Sequence, residues 1–62
     1  MMAARLIDAA HPKVKPVAWL YHMDGLDQDE VAAILGLSRR TVVTRLAAFA
    51  QSARKLVHRS ES

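Results

Sequence analysis

The apolar residues of this chain fall into segments with helical spacing, and proline or glycine separates one segment from the next. The first segment predicts a short helix over residues 2–10, with apolar positions three or four residues apart: Ala3, Leu6, Ile7 and Ala10. The second predicted helix begins between Pro12 and Pro16, because proline is tolerated in a first helical turn, and it ends at Met23. Gly25 fits the left-handed conformation that follows a helix.

The strongest local signal lies at the start of the third helix. Asp27 predicts an N-cap that accepts from the Glu30 amide, while the Glu30 side chain reaches back to the Asp27 amide and Leu26 packs on Val31. Gly36 is expected to stop this helix. For this supporting helix, about residues 27–35, the predicted buried stripe is Val31, Ile34 and Leu35.

A second capped start follows directly, with Ser38 as N-cap and Leu37 positioned to pack on Val42. The last helix is predicted over about residues 39–57, fraying near Val57. Its apolar stripe is Val42, Leu46, Phe49, Ala53 and Leu56. Its opposite face carries Arg40, Thr44, Ala47, Ala48, Gln51 and Lys55.

Two capped helices joined by a tight turn predict a helix-turn-helix. Such a motif needs a small residue where its helices touch, a left-handed residue in the turn and a polar, basic outer face. Ala32, Gly36 and the Arg40 side of the last helix meet these needs in order. The whole chain, residues 1–62, is therefore predicted to be one small all-α domain of three to four helices with a C-terminal helix-turn-helix, its supporting helix at about 27–35 and its recognition helix at about 39–57.

Composition supports this fold class and excludes several others. Sixty-two residues make one domain at most, and aliphatic residues and alanine dominate its apolar content. There is no cysteine, and His11, His22 and His58 lack zinc-site spacing, so we expect surface histidines and no metal or other cofactor. No apolar run could span a bilayer and no export signal stands at Met1, so we expect a cytoplasmic, nucleoid-associated protein without membrane contact.

Charge is distributed unevenly between the two halves of the chain. Residues 1–37 hold three basic and five acidic side chains, a balance of −2, whereas residues 38–62 hold six basic side chains and one acidic, a balance of +5. A basic half beside an acidic one is typical of a domain that binds a polyanion on one face, although a charge run is often only a solvated surface.

The segment from Gly25 to Leu46 closely resembles the promoter −35-reading domain of bacterial RNA polymerase sigma factors, especially the extracytoplasmic-function type. Those proteins have a run similar to G-L-S-x-x-E-I-A-x-x-L-G-x-S-x-G-T-V-K-S-R-L. The agreeing positions are Gly25, Leu26, Glu30, Ala32, Leu35, Gly36, Ser38, Thr41, Val42, Arg45 and Leu46. Response-regulator output domains share part of the pattern. At 62 residues the chain has no room for the −10-reading domain, so we expect either a detached C-terminal sigma domain or a stand-alone relative.

The resemblance implies that the recognition helix enters the major groove of double-stranded DNA at a −35-like element and that RNA polymerase core is a partner. Arg39 and Arg40 would contact phosphate or guanine, and Thr41 and Thr44 would bond phosphate or base edges. Arg45 would meet a phosphate or form an internal ion pair with the supporting helix. For Arg39 and Arg40 the plain alternative is a solvated helix start.

The middle of the predicted reading face departs from the family. Val43 stands where lysine or arginine is usual, and Ala47 and Ala48 replace larger polar side chains. These residues, with Gln51, are predicted to contact DNA, where alanine and valine suit thymine methyl groups. Alternatively, they form a smooth surface for another helix, in a homodimer or with an anti-sigma-like protein.

The sequence thus favours sequence-specific duplex binding in transcription initiation or its regulation. A protein-interaction module with the same shape is the alternative. We expect no enzyme, because the chain holds no nucleophile with its base and no phosphate-binding glycine loop, and its clustered carboxylates suit a helix start.

Overall fold

The computed structural model describes the backbone of residues 2–61 and the side chains of residues 4–56. This part of the chain is helical and contains no strand. The elements are α1 (Met2–Asp8), α2 (Lys15–Ala18) with a π-helical segment (Trp19–Met23) directly after it, α3 (Gln28–Leu35) and α4 (Arg39–Glu61). The predicted all-α class is confirmed, while the side chains of Ala3 and His58 lie outside the described residues.

The proline-containing segment starts α2, as predicted. The amides of Val14 and Lys15 both donate to the His11 carbonyl, at 2.8 and 3.0 Å. The Lys13 amide donates to His11 Nδ1 at 3.1 Å, so the His11 side chain takes part in this helix start. Proline fits here because the first amides of a helix have no intrahelical partner.

The second helix does not stay α-helical to Met23. After Ala18 the chain widens into the π segment, where the Asp24 amide donates to the carbonyl of Trp19, five residues earlier, at 3.2 Å. Gly25 follows with φ of 73°, which confirms its predicted left-handed role.

Helix α3 begins as the sequence predicts but buries a different stripe. Both bonds of the capping box are present: the Glu30 amide donates to Asp27 Oδ1 at 2.8 Å, and the Asp27 amide to Glu30 Oε1 at 3.3 Å. Val31 and Ala32 are buried, whereas Ile34 is 61% exposed, so its predicted burial is wrong. The reason is that the body of the domain packs against the side of α3 that carries Val31 and Ala32.

Among the side chains that the structure describes, the core consists of two clusters that meet at α2. Neighbouring residues Val17 and Ala18 are both fully buried but belong to different clusters. One cluster joins α1, α2 and the middle of α4 through Ile7, Val14, Ala18 and Phe49. The other joins α2 to the helix-turn-helix through Val17, Val31, Ala32 and Val42. Residues Leu26 and Leu37, which precede the two caps, pack against this second cluster.

Helix α4 is longer than the body it packs on. Its 23 residues span about 34 Å at 1.5 Å per residue, within a molecule whose longest dimension is 39 Å. Val42 and Phe49 are buried, but Leu56 is 37% exposed, so the predicted stripe stops before it. The helix continues to Glu61 instead of fraying near Val57. Within the described chain, no helix combines the length and apolar content needed to cross a membrane.

Candidate nucleic-acid interface

The turn between α3 and α4 fixes the start of the predicted recognition helix. Gly36 has a φ of 67°, and the amides of Gly36 and Leu37 both donate to the Ala32 carbonyl. Ser38 then caps α4, because its Oγ accepts from the Thr41 amide at 3.1 Å. The short turn and the cap define where the first turn of α4 lies relative to α3.

The three arginines at the start of α4 have different surroundings. Arg39 Nε lies 3.6 Å from Asp29 Oδ1, so an ion pair at the surface joins the first turns of α4 and α3. Arg45 is half-buried and its Nη1 donates to the Lys13 carbonyl at 3.5 Å. The Arg40 guanidinium is exposed and has no hydrogen-bond or ion-pair partner among the described side chains.

The ion pair with the supporting helix is thus made by Arg39 and not by Arg45. The carboxylates of α3 lie in its first turn, which the tight Gly36 turn places beside the first turn of α4. Arg45 lies further along α4, on the side that faces the start of α2. Of the three predicted DNA-contacting arginines, Arg40 is therefore the one whose charge faces solvent without a protein partner.

Both threonines use their hydroxyl groups within the helix start. Thr44 Oγ1 donates to the Arg40 carbonyl at 3.0 Å. Thr41 Oγ1 lies 2.9 Å from Ser38 Oγ, in a pair where either oxygen can donate. A hydroxyl carries one proton, so Thr44 presents its methyl group and oxygen lone pairs to a ligand but no free donor.

The middle of the exposed α4 face is apolar, as the sequence predicts. Val43 is 44% exposed, and Ala47, Ala48 and Gln51 are exposed as well. They lie opposite the buried residues Val42 and Phe49. The structure thus gathers Arg40, Val43, Thr44, Ala47, Ala48 and Gln51 on one face, with Arg39, Thr41 and Arg45 beside it.

Asp29 and Lys13 contact two of the predicted DNA-binding residues, and the sequence pattern does not assign either of them such a role. Asp29 is one of several carboxylates at a helix start, and the pattern does not distinguish the one that faces α4. Lys13 contributes a backbone carbonyl, and such a contact depends on the tertiary fold and leaves no signal in the sequence. Within the described residues, no group of three or more His, Asp or Glu side chains could hold a metal ion.

The chain matches the model of a known protein family over nearly its whole length. The family model described as ECF sigma factor matches residues 2–61. No curated protein and no solved structure matches the chain. The match covers the helix-turn-helix together with α1 and α2, so it concerns the whole described fold.

Proposed function

Because the chain belongs to the ECF sigma factor family of transcription-initiation proteins, we propose that it reads double-stranded promoter DNA at a −35-like element. The first turns of α4 enter the major groove in this proposal, and RNA polymerase core is the protein partner. The family is one of transcription factors and not of enzymes, and we place the protein in the cytoplasm at the nucleoid. It is a single helix-turn-helix domain here, whether detached from a longer factor or free-standing.

The exposed guanidinium of Arg40, unpaired within the described part of the chain, is the observation that carries this proposal. A positive side chain in the first turn is unfavourable beside the positive end of the helix dipole. Arg39 is compensated by Asp29, whereas the Arg40 guanidinium is exposed and has no partner among the described side chains. Phosphate or the O6 and N7 atoms of guanine would supply the missing acceptors.

We assign the other site residues according to the charges and hydrogen-bonding groups that their side chains do not already use within the protein. Arg39 remains mostly exposed beside Asp29 and is placed at the DNA backbone, where a phosphate would compete with the carboxylate. Arg45 contacts a backbone phosphate at the edge of the groove, and Thr41 braces the start of α4 through Ser38. Thr44 has already donated its hydroxyl proton, so it offers its methyl group and oxygen lone pairs to a base edge. Val43, Ala47, Ala48 and Gln51 face the groove.

The test is a duplex-binding titration of the full chain against a site obtained by binding-site selection. Arg40→Ala should weaken specific binding about 5- to 150-fold, the range of a good bidentate guanine contact, and should relax selectivity at one base pair. Binding should also fall steeply between low and moderate salt. Arg5→Ala is the matched control, because it removes the same charge from an exposed position on α1. Affinity that ignores salt and is unchanged in Arg40→Ala contradicts duplex reading.

The exposed apolar face supports a second candidate function, namely binding to protein. Val43 is 44% exposed and is followed one turn later by two exposed alanines, a surface on which another helix could pack closely. The partner would be an anti-sigma-like protein, RNA polymerase or a second copy of the chain. Sedimentation with and without DNA separates the candidates: a stable oligomer that has lost DNA affinity favours this function. Val43→Lys should strengthen DNA binding and weaken the protein complex.

A further inference from the structure

The exposed face of α4 presents apolar side chains at positions where a DNA-recognition helix usually presents hydrogen-bond donors. Val43 is 44% exposed, and Ala47 and Ala48 are exposed beside it. Thr44 adds to this surface, since its hydroxyl proton is donated to the Arg40 carbonyl at 3.0 Å. Between Arg40 and Gln51, this face therefore presents no free side-chain donor.

In the major groove, thymine is the one base whose edge carries a methyl group, at C5. Guanine, adenine and cytosine present acceptors or donors that an alanine or valine would leave unpaired. Given the duplex binding proposed above, we infer that Val43 and Ala47 determine specificity by contacting thymine methyl groups next to the base pair that Arg40 contacts.

The spacing along α4 sets where these methyl groups would lie. Val43 is three residues beyond Arg40, an advance of about 4.5 Å, and Ala47 is seven residues beyond it, about 10.5 Å. For a helix that follows the groove, base pairs about 3.4 Å apart place these side chains roughly one and three base pairs past the Arg40 contact. The favoured element is thus a guanine followed by thymines on either strand, and not a run of G·C pairs.

The methyl groups are tested by replacing each thymine of the selected duplex, one at a time, with deoxyuridine, which pairs identically but lacks the methyl. At one or two positions the wild-type chain should lose about three- to fourfold in affinity, the effect of one buried carbon. Val43→Ala should remove the deoxyuridine effect at one of these positions and leave the other unchanged. Arg40→Ala serves as the control variant, because it should lower affinity without altering the thymine-to-deoxyuridine ratio.

The possible failures are distinguishable. If duplex binding is salt-dependent and needs Arg40, but every deoxyuridine duplex binds as well as its thymine parent, the methyl contact is wrong and the proposed function stands. If the chain shows no salt-dependent duplex binding at all, both are wrong. If the exposed face proves to be covered by protein in the DNA complex, deoxyuridine has no effect, and this inference is overturned in favour of a docking surface. Circular dichroism of each variant checks that α4 still folds.

Discussion

At the scale of single residues, some of the positive charge at the start of α4 is paired with another protein group, and some of it is unpaired among the described residues and can bind a ligand. Arg39 and Asp29 form an ion pair across two helices at the surface, and both side chains are mostly exposed. Such a pair contributes at most about 1 kcal/mol to stability, so its larger consequence is for binding. Asp29 holds Arg39 near α3 and adds negative charge beside the surface that we propose for DNA.

Asp29→Asn should therefore raise affinity for duplex DNA, about two- to fivefold at low salt, with the gain shrinking as salt increases. The substitution removes one negative charge and frees Arg39 for a phosphate. Arg39→Ala should then cost more affinity in the Asp29→Asn background than in the wild-type chain. Asp24→Asn is the control, since it removes an exposed carboxylate from the segment before α3. Equal losses from Arg39→Ala in both backgrounds would show that the pair does not restrain Arg39.

The sequence identified the exposed basic face but not the partner of each arginine. Residue type and helical spacing place Arg39, Arg40 and Arg45 in the first two turns of one helix. Which carboxylate or carbonyl each one meets depends on the geometry of the Gly36 turn and on where the start of α2 packs. These are tertiary contacts between residues distant in sequence or on different helices.

At the scale of elements, local signals were reliable where they rest on short-range bonds. Both predicted caps, at Asp27 and Ser38, are present, because a cap joins residues three apart and needs no tertiary contact. The π segment had no such signal. Its wider hydrogen bonds satisfy the end of a helix that also packs on α1, α3 and α4, so its form depends on the packed domain.

The Asp27 cap should stabilise the domain measurably. Asp27→Ala should lower the free energy of unfolding by about 1 kcal/mol, because the Glu30 amide loses its acceptor and the reciprocal bond loses its geometry. Urea denaturation followed by circular dichroism measures the change. Asp27→Asn should retain most of the stability, and Asp24→Ala, which removes the same charge outside the cap, should change it by less than about 0.5 kcal/mol. A loss in Asp27→Asn as large as in Asp27→Ala would point to charge instead of capping.

At the scale of the whole molecule, α2 holds the domain together although its α-helical part has only four residues. Val17 faces the helix-turn-helix cluster and Ala18 faces the cluster shared with α1 and Phe49. A chain of 62 residues buries a limited core, and its total stability is expected to be only about 3–9 kcal/mol. The docking of α1 therefore depends on Ala18, and the orientation of the recognition helix depends on the adjacent residue, Val17.

Periodicity alone did not show which apolar residues form this core. Helical spacing predicts burial for both Val31 and Ile34, yet Val31 is fully buried and Ile34 is 61% exposed. Likewise Phe49 packs against α1 and α2, while Leu56 lies beyond the body of the domain. In both helices the pattern gave the correct general face, but the width and length of the buried stripe depend on how far the opposing helices extend.

The contrast between Val17 and Ile34 gives a test of this architecture. Val17→Ala should lower the free energy of unfolding by about 2 kcal/mol, since it removes buried carbon and leaves a cavity between α2 and the helix-turn-helix. Ile34→Ala removes more side chain but should change stability by less than about 0.5 kcal/mol, because most of the side chain already contacts water. Urea denaturation at two protein concentrations measures both variants.

Measuring stability at two protein concentrations distinguishes burial within one chain from burial between two copies of the chain. In a monomer the loss in Val17→Ala is independent of protein concentration, and Ile34→Ala behaves as the wild type does. A large loss in Ile34→Ala that grows with protein concentration would mean that a second copy covers α3, because association adds to stability by mass action. A large loss at every concentration would place Ile34 inside the core and contradict the described packing of α3, on which the position of Arg39 beside Asp29 also depends.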